Sequence, residues 1–376
     1  MAASLFDLKF IVLSGKGGVG RTVVAAALAR AAAARGRRVL IAQTNAIERL
    51  GKMLGRTAPA RGGSFADAAS GTVVAAVDEG DGAGGSGGSG AIGATAVSIA
   101  PGIDAVNMTP KESLHQYALL VLRYEAVYRA LFQNRAVRGF LSAIPGLDAY
   151  AMLGKAWWHT TELADGDDRR GGGPQAGAPS GRRHKYDLVI LDGPASGHAV
   201  AMLKIPQAII STASAGPLVK DARALRELLG DPRRSALVIV TRAEELPARE
   251  TRELAGVARN ELGIPLGAVI VNAVPPARLS EPPTATVLDR LAAGTGDVEL
   301  DTTLRMAATV RAHRATAEQV MASLAADVCA PWGHPFVALP WLPSTDLGLR
   351  EIDLLASALA QGLSTPAPLL PRPNLR

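Results

Sequence analysis

The chain has 376 residues, 48% of them apolar but only 4% aromatic. That length buries a large core, and so aromatic-poor a composition favours helix-rich α/β packing over an all-β sandwich. One cysteine, Cys329, excludes a disulfide framework and an all-cysteine metal cluster within one chain, and the net charge of +6 comes without the aromatic interleaving that stacks bases.

Leu8 to Leu13 is a short apolar run with little alternation, which predicts a parallel strand covered on both faces. It leads into Ser14-Gly15-Lys16-Gly17-Gly18-Val19-Gly20-Arg21-Thr22, and an alanine-rich stretch to about Ala34 predicts a helix closed by Gly36. Arg38 to Ala42 reads as a second strand. Residues 78–95 read as a flexible glycine-rich loop. Ile103 to Asn107 predicts a short strand, and helical apolar spacing runs from Thr109 to about Phe140. Pro145-Gly146 breaks it, and a further helical piece covers Leu153 to Trp158. Residues 165–183 form a second flexible loop, rich in glycine, proline and charge.

Beyond that loop, Tyr186 to Gly193, Ser235 to Thr241 and Leu266 to Asn272 predict buried strands, with a helix from Glu245 to Leu262. Phe336 to Leu342 is the last strand, Leu347 to about Leu359 a closing helix, and 365–376 a proline-rich tail. Alternating strands and helices predict an α/β fold built on a doubly wound, mostly parallel sheet. Residues 1–376 are expected to be one domain, with 109–161 as an inserted helical lobe. Lys204 and Pro206 interrupt the apolar stretch 197–219, a poor membrane span, and no leader pattern stands at the start. A soluble, cytoplasmic protein is the expectation.

Gly15, Gly20, Arg21 and Thr22 fit the G-x-x-x-x-G-K-[ST] pattern, with arginine in the lysine position. Glycine lets backbone N–H groups wrap an anion at a helix N-terminus, and the Thr22 hydroxyl can then meet magnesium. Arginine keeps the charge but is broad and planar, so it does not simply replace lysine. Asp192, at the end of a buried strand, is a second magnesium candidate.

The sequence Gly15 to Gly20, GKGGVG, resembles the deviant Walker A motif of the family that includes ArsA, MinD and ParA. In that family the signature lysine reaches the nucleotide of the opposite subunit. Carried to Lys16, the resemblance implies an ATP-closed homodimer, since this chain has one P-loop. Asp192 to His198, DGPASGH, resembles the D-T-A-P-T-G-H switch II motif of ArsA and the tail-anchored-protein targeting ATPases. Gln43 to Glu48, QTNAIE, stands where those relatives carry S-T-D-P-A-H. Asn45 therefore replaces the aspartate that activates water, and Glu48, one turn on, reads either as a substitute or, the favoured alternative, as a solvated helix glutamate. Val271-Asn272 through Pro275 resembles the segment whose asparagine reads adenine, and Leu339 to Pro343 the loop that packs on the base. Glu245 through Thr251 resembles the family's E-x-x-x-x-x-E-T region.

The resemblance implies a catalytic set of Lys16, Asn45 and Asp192, with Thr22 and Asp192 holding magnesium. It implies nucleotide contacts from Gly15, Lys16, Gly17, Gly18, Val19, Gly20, Arg21, Thr22, Asn272 and Pro343. The expected function is a Mg2+-dependent ATPase, a homodimer coupling ATP state to a client protein, with slow hydrolysis because of Arg21 and Asn45. An indirect membrane link through a partner fits that reading. No nucleic acid is expected. Metalloid cargo is not expected either, because Cys329 alone cannot make a thiolate site. The alternatives are a hydrolysis-deficient nucleotide switch and a partition-type ATPase positioned on DNA or membrane.

Overall fold

The computed structural model describes residues 4–44, 49–55, 96–110, 113, 146–164, 183–212, 216–344 and 346–364. Asn45, Glu48, the loop at 78–95, residues 111–112 and 114–145 of the expected lobe, 165–182 and the tail at 365–376 lie outside the described residues.

Among the described residues, eight strands make one sheet: β1 (Phe10–Gly15), β2 (Val39–Thr44), β3 (Val97–Ala100), β4 (Ile103–Met108), β5 (Leu188–Ala195), β6 (Ser235–Arg242), β7 (Leu266–Val274) and β8 (Phe336–Pro340). Their order is β3-β4-β2-β5-β1-β6-β7-β8, and every neighbouring pair is parallel except β3 with β4. The central strands are buried along almost their whole length. This is why they read as continuous apolar runs and not as alternating ones.

β1 starts two residues later than the apolar run suggests. Leu5–Asp7 forms a 3-10 turn capped by Ser4, and the amides of Lys9 and Phe10 both donate to the Arg234 carbonyl at the strand's entry. Leu8 is buried all the same, which explains the apolar signal without a strand. β5 runs on to Ala195, two residues past the expected end at Gly193.

Helices cover both faces. α1 (Arg21–Ala33), α2 (Leu50–Met53) and a C-terminal helix (Leu349–Ser364) pack on one side around Leu28, Ile41, Leu188, Ile190 and Leu355. α3 (Leu147–His159), α4 (Ser196–Thr212), α5 (Pro217–Gly230) and α6 (Glu245–Val257) pack on the other side around Phe10, Val12, Leu153, Met202 and Leu225. The small alanine side chains of α1 let the C-terminal helix lie close, and Arg30 Nε donates to Asp353 Oδ1 across the pair at 2.7 Å.

Two further helices, α7 (Thr284–Leu291) and α8 (Val298–Leu324), have no counterpart in the sequence reading. α8 has 27 residues, of which only Ala317 and Leu324 are buried, so it carries no apolar stripe for periodicity to detect. Its start is set locally: Asp297 Oδ1 accepts from the amides of Glu299 and Leu300. The short edge strand β3 likewise goes unpredicted. Among the described residues, no helix is long and apolar enough to cross a membrane.

Candidate nucleotide-binding site

The site forms where β1 ends at the centre of the sheet. Residues 16–20 turn away from the strand, and α1 begins at Arg21. Register places Leu13 of β1 and Gln43 of β2 on either side of Asp192 of β5. Three strand ends therefore meet the start of one helix, at a switch point of the sheet where ligands bind in such folds.

Glycine is required here by close packing. A Cβ on Gly15 would sit 1.9 Å from the Val240 carbonyl oxygen. Gly20 has φ +90°, and a Cβ there would sit 2.2 Å from Asn272 Nδ2. That amide nitrogen also donates to the Val19 carbonyl at 2.9 Å, so Asn272 braces the loop from β7. Ala273, the next residue, takes φ +55°, and the β7–β8 register shifts between Val271 and Val274.

Thr22 Oγ1 donates to Asp192 Oδ2 at 2.7 Å, and Gln43 Nε2 approaches the same oxygen at 3.4 Å. Thr44 Oγ1 donates to the Asp192 carbonyl at 3.1 Å. Burial pushes the Asp192 carboxyl upward in pKa, while the Thr22 and Gln43 hydrogen bonds and the charge of Arg21 pull it down. Among the described residues, no cation lies within ion-pair distance of this buried carboxylate. Beside it, Gln43 Oε1 is buried with no hydrogen-bond partner among the described residues.

Arg21 folds back over the loop, where Nη1 donates to the Gly15 carbonyl at 2.7 Å. Burial lowers its pKa and the nearby Asp192 raises it. Lys16 donates to Glu250 Oε1 at 2.5 Å. Gly17 and Gly18 are exposed at the loop's tip, and Val19 is buried beneath it.

The structure thus brings together Gly15 to Thr22, Asp192 and Asn272. Pro343 lies farther out, in the exposed segment after edge strand β8. The Trp341 amide donates to the Val274 carbonyl at 2.9 Å, which ties that segment to the end of β7 near Asn272. Asn45 is outside the described residues. Sequence reading assigns no role to Gln43, and none to Glu250 beyond its place in a family segment. A polar residue closing an apolar strand is the signal that marks Gln43, whereas Glu250 is brought to Lys16 only by the fold.

The donor set suits magnesium. A hydroxyl, a carboxylate lacking a cation and an orphaned amide oxygen are hard oxygen donors, and magnesium binds through few protein ligands while keeping several waters. Two surface clefts, of about 320 and about 360 Å3, lie away from this site, flanking Ile264.

The family model of the CobQ/CobB/MinD/ParA nucleotide binding domain matches residues 10–46, from β1 past the end of β2. The chain is 26% identical to the ATPase BagA of Mycobacterium tuberculosis over 299 residues, 79% of this chain and 72% of that protein. It is 26% identical to an arsenical pump-driving ATPase of Acidiphilium multivorum over 71% of this chain and 40% of that protein. With the arsenical pump-driving ATPase of Escherichia coli the identity is 23%, over 95% of this chain and 49% of that protein. Sheet, loop and relatives agree: the chain carries a MinD/ParA-type P-loop segment and is similar to arsenical pump-driving ATPases, which is consistent with an ArsA-like family.

Proposed function

We infer that the protein binds ATP with magnesium at the loop of residues 15–22, hydrolyses it, and works as a nucleotide-gated homodimer that couples ATP state to a client protein. The observation that carries this reading is the 2.7 Å bond from Thr22 to Asp192. It joins the first turn of α1 to the strand beside the loop and presents two oxygen donors where the phosphates of a nucleotide would lie. Thr22 and Asp192 would hold the ion directly, and Gln43 Oε1 would accept a hydrogen bond from one of its waters. A bound magnesium would neutralise phosphate charge that grows during transfer.

Backbone amides at the start of α1 and the Arg21 guanidinium supply the rest of the anion site. Arg21 must trade its bond to the Gly15 carbonyl for phosphate oxygens, which supports slow turnover and favours a second reading, a nucleotide switch with little hydrolysis. Asn272 keeps an acceptor oxygen for the amino group of adenine once its nitrogen is committed to Val19. Homodimer formation, the client and a cytoplasmic setting follow from family resemblance.

Steady-state ATP turnover tests the reading. Magnesium-dependent hydrolysis is expected, falling about 100-fold or more in Asp192→Ala. Tight ATP binding without turnover supports the switch, and turnover unaffected by Asp192→Ala contradicts the site.

A further inference from the structure

Lys16 is already engaged within its own chain. Its Nζ donates to Glu250 Oε1 at 2.5 Å, and Ser196 Oγ donates to Glu250 Oε2 at 2.9 Å. Lys16 belongs to the phosphate loop, Ser196 opens α4 directly after β5, and Glu250 stands on α6. One carboxylate therefore ties together the loop, the helix that follows the Asp192 strand, and a third element. The two bonds hold the Glu250 carboxyl below its ordinary pKa, so it stays an anion. The pair is nevertheless partly open to water, with the side chains 30% and 27% exposed. Such a pair is weak enough to exchange for a stronger anion.

We propose that Glu250 clasps Lys16 in the free chain, and that Lys16 exchanges this carboxylate for a phosphate of the nucleotide bound to a second copy. The proposal rests on the homodimer reading above and adds the residue that sets its threshold. Lys16 lies between Gly15 and Gly17, and its ammonium rides on a long flexible stem that can turn outward. The exchange leaves no charge without a partner, because Lys16 keeps an anion in both states and Glu250 returns to water. Only chains with an open clasp can close the dimer, so the clasped fraction raises the ATP concentration that dimerisation requires. Glu250 is thus a positioning residue, acting through Lys16.

Two measurements test this on the full chain. The first is the rate of acetylation of Lys16 without nucleotide, followed by mass spectrometry. Glu250→Gln is expected to raise that rate about 1.5- to 5-fold, the range for a solvent-screened pair. Glu250→Asp, which keeps the charge but shortens the reach, should raise it less. The second is the ATP concentration at half-dimerisation in sedimentation velocity, expected to fall by a similar factor in Glu250→Gln. In the double variant Lys16→Ala/Glu250→Gln that gain should vanish. An unchanged acetylation rate overturns the clasp itself. A wild-type chain that binds ATP but stays monomeric overturns the exchange, and the homodimer reading with it, whatever the acetylation rate. A dimer forming at an unchanged ATP concentration in Glu250→Gln overturns the exchange while leaving the homodimer reading standing.

Discussion

Ala273 occupies left-handed backbone space that an L-residue enters only at a cost of about 1–2 kcal/mol. The distortion falls one residue after Asn272, whose side chain braces the glycine loop at Val19. Without the irregularity between Val271 and Val274, regular pairing with β8 would continue through this position. Strain of this kind persists where the surrounding structure over-determines it. Ala273→Gly should relieve it and stabilise the fold by about 0.5–1 kcal/mol after the extra entropy of glycine is counted. Denaturant unfolding measures this, and a destabilised variant would show that the methyl group matters more than the dihedral. At this scale the sequence is legible where chemistry follows chain order. Gly15, Gly20, Thr22 and Asp192, singled out from the motifs, lie together around the start of α1. Glu250 is not legible as a partner of Lys16, because 234 positions separate them and only the sheet brings them together.

At the scale of elements, the buried parallel strands are readable because burial on both faces leaves an unbroken apolar run. α8 is not readable, since a helix mostly bathed in water need not repeat its apolar residues. α3 carries a prediction of its own. His159, at its C-terminus, is 4% exposed, and its Nδ1 lies 2.7 Å from Glu162 Oε2. Lys185 donates to the other oxygen of Glu162 at 2.8 Å. Burial lowers the pKa of His159, while Glu162 acts against it. The unfolded chain then takes up this proton near the ordinary histidine pKa of about 6.5, and the folded chain resists it. Stability contributed by neutral His159 is therefore present above that pH and is lost as the pH falls through the lowered pKa of the folded state. Thermal unfolding followed from about pH 7.5 down to about pH 5, on either side of the histidine pKa, should show a fall in the wild type. In His159→Gln the fall should be smaller, and equal slopes would rule out this histidine as its source.

Across the whole molecule, the sheet sets the candidate nucleotide site at the meeting of β1, β2 and β5, and helices on both faces fix those strands. The doubly wound architecture is legible from alternating strands and helices, whereas the antiparallel edge strand β3 and α8 leave little periodic signal. Cys329 is buried and its thiol is pushed up to about 12 by burial, which makes it a packing residue in the cluster with Val269 and Leu324. The central claim concerns the site at the middle of the sheet. Calorimetric titration of ATP into the purified chain, with and without magnesium, tests it most directly. The account predicts saturable binding that magnesium tightens in the wild type but not in Asp192→Ala. Absence of ATP binding under both conditions, or tightening by magnesium that persists in Asp192→Ala, would contradict it.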